Sequence, residues 1–204
     1  MKLIVGFGNP GEKFVNNRQN IGFKVVEILA NNENIDVRVK KKKSVIGRGS
    51  VNGTEVVLLK PQTFVNLIGE SVLYIASFLR INVREIICVL EDPTLPVGEL
   101  RVDYRLSKIK HEGIESITKA LKSDKFAKVR VGVGVPPKSM TVEQYLLTDF
   151  TDRENLILID VLNKAEEAVK ALITNTIESV QENYNPEGPV RIERRRVRKV
   201  YVKR

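Results

Sequence analysis

Short apolar runs alternate with longer segments of helical periodicity between residues 3 and 176. The short runs, at residues 3–5, 56–59, 86–90 and 129–133, are rich in Val, Ile and Leu, which is typical of buried strands. Helices are predicted at residues 20–30, 66–79, 113–121 and 152–176. In the third helix, Ile114, Ile117 and Leu121 form one apolar face. The alternation predicts an α/β domain in which helices cover a sheet.

The pattern changes abruptly at Asn185-Pro186-Glu187-Gly188-Pro189, where two prolines and a glycine end any helix. We therefore predict a domain at residues 1–185 and a basic tail at residues 186–204. The tail has eight Lys or Arg against two Glu, and such tails bind phosphate backbones without reading sequence. The alternative is a disordered, solubilising extension. The predicted RNA-binding residues of the tail are Arg191, Arg194, Arg195, Arg196, Arg198 and Lys199.

The formal net charge of +9 favours a polyanionic partner, either nucleic acid or an anionic membrane surface. No apolar run approaches 18 residues, and the first strand leads directly into a glycine loop, so a cytoplasmic protein without membrane contact is expected. The single cysteine, Cys88, lies in an apolar run. It is predicted to be a buried, inert thiol, with no disulfide and no cysteine-based metal site.

A cluster of lysine and arginine occupies residues 38–43, where five of six residues are basic. The segment Ser44-Val45-Ile46-Gly47-Arg48-Gly49 follows it. The cluster is either an RNA-facing edge or a solvated hairpin, and the hairpin is the preferred interpretation.

Gly6-Phe7-Gly8-Asn9-Pro10-Gly11 follows a strand and matches the G-x-G-x-x-G pattern of dinucleotide-binding loops. In such loops a helix opens at the third glycine and meets the pyrophosphate. Here the polar residues 12–17 intervene before apolar periodicity resumes at Ile21. Only Glu33 and Asp36 stand near the position of the expected ribose-binding acid. A dinucleotide site is therefore not predicted.

An ordered series of motifs runs through the same region. It begins with Gly6-Phe7-Gly8-Asn9-Pro10-Gly11, Phe14 and Arg18-Gln19-Asn20-Ile21-Gly22-Phe23, and continues with Lys60-Pro61-Gln62-Thr63-Phe64-Val65-Asn66, Leu95-Pro96-Val97-Gly98-Glu99-Leu100-Arg101, Val129-Arg130-Val131-Gly132-Val133-Gly134 and Asn183-Tyr184-Asn185. These motifs resemble those of the bacterial-type peptidyl-tRNA hydrolases, and the resemblance covers nearly all of residues 1–185. It implies a single three-layer α/β sandwich with a mixed, mostly parallel central sheet.

The resemblance also implies a reaction, the hydrolysis of the ester that joins a peptide to the terminal ribose of tRNA. In the family a histidine acts as general base toward water, and no metal or organic cofactor takes part. This role requires a group whose pKa lies near neutrality. The matching residue here is Gln19, and an amide cannot accept and release a proton at accessible pH. The family's base is therefore expected to be absent.

Two further motifs of the family's site are altered. The aspartate that orients the family's histidine corresponds to Glu91, or to Asp92 if the register shifts by one residue. The G-G-H-N-G segment corresponds to Ser107-Lys108-Ile109-Lys110-His111-Glu112-Gly113, so that Glu112 replaces the substrate-contacting asparagine. His111 is expected to be a loop residue near the rim of the cleft. Glu91, Asp92 and His111 remain alternative positions for a relocated base.

The residues that would hold the substrate are retained. Asn9 and Asn66 match amides of the family's site, Phe14 and Phe64 match aromatics near the terminal nucleotide, and Arg130 matches an arginine near tRNA phosphates. Each also has a structural alternative. Asn9 could shape a turn, Asn66 could cap the next helix, both phenylalanines could lie in the core, and Arg130 could pair with an acid.

These features predict a peptidyl-tRNA hydrolase-like protein that binds tRNA or another structured RNA, with the ribosome as a candidate partner, and in which hydrolysis is lost or strongly reduced. It is expected to be a monomer in isolation. One alternative is an active hydrolase with a relocated base. The other is a protein-interaction scaffold whose basic tail is its only RNA-binding element.

Overall fold

The structure, a computed structural model, describes residues 1–104 and 110–185. The strands of this part of the chain are β1 (Lys2–Gly6), β2 (Val39–Lys40), β3 (Ser44–Val51), β4 (Thr54–Pro61), β5 (Ile86–Asp92), β6 (Leu100–Asp103) and β7 (Ala127–Gly132). They form one sheet of order β2-β3-β4-β1-β5-β7-β6. The central pairs β4-β1, β1-β5 and β5-β7 are parallel, whereas the outer pairs are antiparallel. The predicted mixed sheet is confirmed, with its parallel part at the centre.

Helices cover both faces of the sheet. They are α1 (Ile21–Asn32), α2 (Gly69–Phe78), α3 (Glu112–Leu121), α4 (Val142–Leu146), α5 (Asp152–Thr174) and α6 (Ile177–Tyr184). The helices α1 and α5 pack on one face of the sheet, where Ile4 and Val89 are buried. The helices α2 and α3 pack on the other face, where Val5 and Leu90 are buried. The alternation of side chains along each strand thus supplies two cores, and the predicted three-layer sandwich is confirmed.

The glycine loop is built around a close contact between α1 and the sheet. A Cβ atom on Gly22 would lie 2.3 Å from both the backbone nitrogen of Phe7 and the carbonyl oxygen of Val89. The Phe23 amide donates to the Phe7 carbonyl at 3.0 Å, so the start of α1 is joined directly to the end of β1. The glycine at position 22 is therefore required for packing, and this packing positions Gln19 and Asn9 beside each other.

Two titratable side chains, Cys88 and Lys128, lie in the interior of the domain. Burial raises the pKa of the Cys88 thiol to about 12, which confirms the prediction of a buried cysteine. Burial also lowers the pKa of Lys128 to about 8. The Lys128 ammonium donates to the carbonyls of Tyr104, Asp124 and Phe126 at 2.8–2.9 Å. All three N–H donors of this buried ammonium group are therefore satisfied. Its hydrogen bonds link β7 to the residue after β6 and to the loop before β7.

The described residues contain no helix that is long and apolar enough to cross a membrane. The predicted tail, with Arg191, Arg194, Arg195, Arg196, Arg198 and Lys199, lies outside the described residues. The same holds for Ser107, Lys108 and Ile109 of the altered loop.

Candidate active site

A cleft of about 560 Å³ opens at the carboxyl edge of the parallel strands, the edge at which open α/β sheets bind their ligands. The loop after β1, the short 3₁₀ turn Val65–Leu67, the end of β5 and the starts of α3 and α4 contribute to its walls. Seven of the eight predicted site residues line this cleft, namely Asn9, Phe14, Gln19, Phe64, Asn66, Glu91 and Glu112. The fold therefore brings together residues that are more than 100 positions apart in the sequence.

Gln19 belongs to the short 3₁₀ turn Arg18–Asn20 just before α1. Its side-chain oxygen accepts a hydrogen bond from the Asn9 amide nitrogen at 2.9 Å. The Asn9 side-chain oxygen in turn accepts from the Val65 backbone amide at 3.3 Å, and Asn20 bonds the backbone of Asn9 in both directions. Asn9 is thus a buried connector that fixes the Gln19 amide in the cleft wall, a larger role than shaping a turn.

Glu91 and His111 form a second hydrogen-bonded pair in the cleft wall. Glu91 is only 1% exposed, and its Oε1 atom lies 3.2 Å from Nε2 of His111. The second carboxylate oxygen, Oε2, is buried and has no hydrogen-bond partner among the described residues. His111 is the N-cap of α3, and its ring contacts Phe7 with 5.4 Å between ring centroids. His111 lies outside a helix and lines the cleft, as expected for a loop residue near the rim, but its ring is packed into the wall.

The hydrogen bonds of His111 leave its ring without a free basic nitrogen. Nδ1 accepts from the Gly113 backbone amide at 3.1 Å, so in the neutral ring Nε2 carries the proton and donates to Glu91. Burial by itself lowers the pKa of His111, but the charges of Glu91 and Asp92 outweigh it and raise the pKa overall. The protonated ring has no lone pair at all. In neither state is His111 placed to take a proton from water.

Asp92 faces away from the cleft, since consecutive strand residues point to opposite faces. Its Oδ2 atom forms an ion pair with Arg130, and its Oδ1 atom accepts from the amide and hydroxyl of Thr94 at 2.8 and 2.6 Å. Arg130 is 7% exposed and also donates to Asp103 at 2.7 Å. Two carboxylates therefore occupy its guanidinium, which argues against the expected phosphate contact. The same contacts argue against Asp92 as a relocated base.

The outer part of the cleft is aromatic and polar. Phe64 is 60% exposed and Phe14 is half-buried, so the alternative role of these rings as core residues does not apply to Phe64. Asn66 is exposed in its 3₁₀ turn, and the N-cap of α2 is Ile68, so Asn66 does not cap this helix. The side chains of Phe64 and Asn66 are therefore accessible to a ligand at the mouth of the cleft.

Sequence reasoning missed two features of the site. The helix α4 supplies apolar wall residues, Val142 and Leu146 among them. The second feature is Arg18, which is buried beside Gln19. Its guanidinium bonds both oxygens of Glu154, at 2.9 and 2.8 Å, and the carbonyl of Val133 at 2.8 Å. It therefore ties the Gln19 turn to α5.

Replacing Glu91 with glutamine is expected to lower the pKa of His111. The Glu91 charge is the largest influence that raises this pKa, and burial, which lowers it, would remain. Because His111 is the only histidine of the chain, a proton–nitrogen NMR titration gives its pKa and tautomer without assignment of other rings. Glu12→Gln, at an exposed position, is the control and should leave the titration unchanged. An unaltered pKa in Glu91→Gln would contradict the pairing.

Comparison with known proteins agrees with this geometry. The family model described as peptidyl-tRNA hydrolase matches residues 3–193. The peptidyl-tRNA hydrolase of Alkaliphilus oremlandii is 38% identical over 185 residues, covering 91% of this chain and 100% of the relative, and that of Clostridium beijerinckii is 39% identical over 185 residues, covering 91% and 96%. The crystal structure of peptidyl-tRNA hydrolase from Acinetobacter baumannii is similar with a TM-score of 0.85 at 28% identity, covering 91% of this chain and 95% of that one. The chain therefore belongs to the peptidyl-tRNA hydrolase family.

Proposed function

We propose that this protein binds the 3′ end of peptidyl-tRNA, or of a related structured RNA, in the cleft, and that its hydrolytic activity is lost or strongly reduced. The proposal rests mainly on the identity of the side chain at position 19 and on its hydrogen bond. The resemblance places the family's general base there, whereas this chain has a glutamine whose oxygen is already bonded to Asn9. An amide in this position can orient a ligand but cannot take a proton from water.

Binding is supported by the groups that remain at the mouth and wall of the cleft. The exposed ring of Phe64 offers a stacking surface for a base, and such contacts are worth about 1–3 kcal/mol per base. The exposed amide of Asn66 can donate and accept hydrogen bonds. Apolar residues from α4 extend this surface on the other side of the cleft.

The loss of hydrolysis is supported by the lack of a substitute base with suitable geometry. Both ring nitrogens of His111 are engaged, and Asp92 is paired with Arg130. Glu112 and Glu143 line the cleft but are exposed to solvent. A hydrated carboxylate is a weak base at neutral pH, because its pKa lies well below the operating pH.

The test is single-turnover hydrolysis of an N-blocked aminoacyl-tRNA with the protein in excess. A protein-free control is measured in parallel. Binding is measured separately, with a tRNA to which the N-blocked amino acid is joined by an amide in place of the ester. We expect saturable binding and ester loss at the rate of the protein-free control, because Gln19 cannot act as a base and because His111 and Asp92 are engaged. Ester loss well above the control would contradict the loss of catalysis, and the absence of binding would contradict the binding function.

A second candidate is hydrolysis with Glu91 itself as the base. The buried Oε2 atom of Glu91, which has no partner among the described residues, favours it, since a carboxylate oxygen without a donor has a lone pair that could accept a proton from water. The same assay separates the two candidates. Residual turnover that disappears in Glu91→Gln and persists in Gln19→Asn would identify Glu91 as the base.

A further inference from the structure

The hairpin between β2 and β3 has an unusual tip. Lys42 and Lys43 are its two central residues, and both have positive φ angles, 42° and 53°. Two-residue turns of this kind normally contain Asn-Gly, since the left-handed conformation is unfavourable for residues with a long side chain. A hairpin is present at the predicted position, and its tip has lysines where the left-handed backbone conformation is unfavourable for them. This arrangement needs an explanation other than turn stability.

An aromatic pair on α2 lies directly beside the hairpin. Tyr74 and Phe78 stack with 6.0 Å between ring centroids and an interplanar angle of 4°. The Lys41 ammonium lies 4.2 Å from the centroid of Phe78, and that of Lys42 lies 5.8 Å from the centroid of Tyr74. Cation–π contacts of this kind hold a flexible side chain in place without neutralising its charge. The rings thus fix two lysines in position to meet an anion.

The hairpin tip lies on the same edge of the sheet as the cleft. The antiparallel register places Ser44, just after the tip, opposite Pro61 at the end of β4. The Gln62 amide donates to the Lys43 carbonyl at 2.7 Å, and the Ser71 hydroxyl donates to the Lys42 carbonyl at 3.0 Å. Phe64, on the lip of the cleft, follows Gln62 by two residues. Lys42 and Lys43, at the tip of the hairpin, are therefore anchored near the loop of residues 62–64, which forms the lip of the cleft.

The charge of the cleft explains why a separate basic element is useful. Its described lining residues include the carboxylates of Glu91, Glu112 and Glu143 but only one lysine, Lys110. Phosphates are repelled by carboxylates, so the attraction for an RNA must come from outside the cleft. The carboxylate of Glu70 lies 3.8 Å from the Lys43 ammonium at the tip, and both of these side chains are largely exposed. Such a surface pair is weak and readily exchanged for a phosphate.

We propose that the basic hairpin, defined as residues 40–43 together with Tyr74 and Phe78, binds the phosphate backbone of the RNA whose 3′ end occupies the cleft. The proposal rests on the proposed function, because that function places the RNA end beside the lip. The hairpin would contact the duplex just before the terminal nucleotides. Lysines bind phosphates as point charges, so this contact adds affinity and fixes the position of the RNA without reading its sequence.

The test uses the double variant Lys42→Asn/Lys43→Gly, which removes two charges and creates the turn sequence that the hairpin geometry prefers. The variant is therefore expected to be at least as stable as the parent, which separates a loss of binding from a loss of folding. The affinity of tRNA carrying an amide-linked N-blocked amino acid is measured from 0.05 to 1 M salt. We expect the slope of log K against log salt to decrease by about two, with affinity lower by roughly ten- to a hundredfold at 0.1 M salt.

Two controls define the outcomes. Arg84→Gln/Lys164→Gln removes two exposed charges before β5 and on α5, away from the carboxyl edge, and should keep the parent slope. A short oligonucleotide that ends in the same aminoacyl nucleotide should bind the parent and the hairpin variant equally.

If the slope of log K against log salt is the same in the hairpin variant as in the parent, the hairpin does not bind phosphate, and the proposed function of the cleft is unaffected. Failure of both RNAs to bind the parent would overturn the two together, and binding of the hairpin to anionic lipid vesicles instead of tRNA would assign it to a membrane surface.

Discussion

Replacing Gln19 with histidine is expected to raise the single-turnover rate of ester hydrolysis by roughly a hundredfold or more, the usual contribution of a positioned general base. The imidazole would replace the amide that now accepts from Asn9, and this hydrogen bond would be given up so that one ring nitrogen keeps a free lone pair. The Oε2 atom of Glu91, which has no partner in the part of the chain that the structure describes, would accept its N–H group. The imidazole would take a proton from water as the water attacks the ester carbonyl. The ester bond would then break, and the ribose oxygen would leave with a proton.

The matched control is Gln19→Asn, which keeps an amide and should remain at the protein-free rate. Adding Glu91→Gln to Gln19→His should reduce the gain, because the imidazole would lose the carboxylate that orients it. If Gln19→His binds tRNA with the parent affinity and still hydrolyses at the background rate, then the missing base is not the sole defect. Glu112, which replaces an amide of the family's site, would then be the next position to change.

The variant Arg18→Met is expected to lower the free energy of unfolding by about 3 kcal/mol, the lower end of the range for a broken buried ion pair, because Glu154 is partly exposed and keeps its hydrogen bonds from Thr151. Arg18 is 4% exposed, bonds Glu154 through two nitrogens and lies between the rings of Tyr145 and Phe150, at 4.4 and 4.5 Å from their centroids. Urea unfolding monitored by circular dichroism measures the change. A loss below about 1 kcal/mol, the value of a surface pair, would contradict this role.

The pH dependence of the same variant provides an independent check. The hydrogen bond from Arg18 lowers the pKa of Glu154 from its ordinary value of 4.5 to about 2. The pair therefore stabilises the parent fully above pH 4.5, and this stabilisation is lost as the pH falls toward 2. The difference between parent and variant should narrow over the same interval. Arg153→Met, which removes a solvent-exposed charge from the first turn of α5, is the control and should change stability little at any pH.

Much of the fold could be predicted from the sequence, because the central strands and long helices have strong periodicity. The predicted helix at residues 152–176 corresponds to α5, which begins with a capping box between Thr151 and Glu154. A hairpin is predicted at residues 38–49, but the extent of β3 is not, since Gly47 and Gly49 interrupt its apolar pattern. Both glycines are needed where the strand passes close to Ile35. This requirement arises from tertiary packing and leaves little trace in local periodicity.

Within the site, the sequence predicted which residues share the cleft but not how they pair. The motif resemblance assembled Asn9, Gln19 and Glu91 correctly in one place. It could not show that Glu91 reaches His111, since a hydrogen bond between residues 20 positions apart depends on the path of the chain between them. For the same reason Arg130 was assigned to phosphate, although two acids on neighbouring segments hold it.

The pairing of Glu91 with His111 also determines which positions of the cleft tolerate substitution. A carboxylate as deeply buried as Glu91 requires a donor, and His111 supplies it. Position 19 is thereby freed from this requirement, so that different polar side chains there should affect stability to a similar, small extent. Position 111 is not free, and its effects should be strongly non-additive with those at position 91. The protein can therefore vary the chemistry of its cleft at position 19 while its fold remains unchanged.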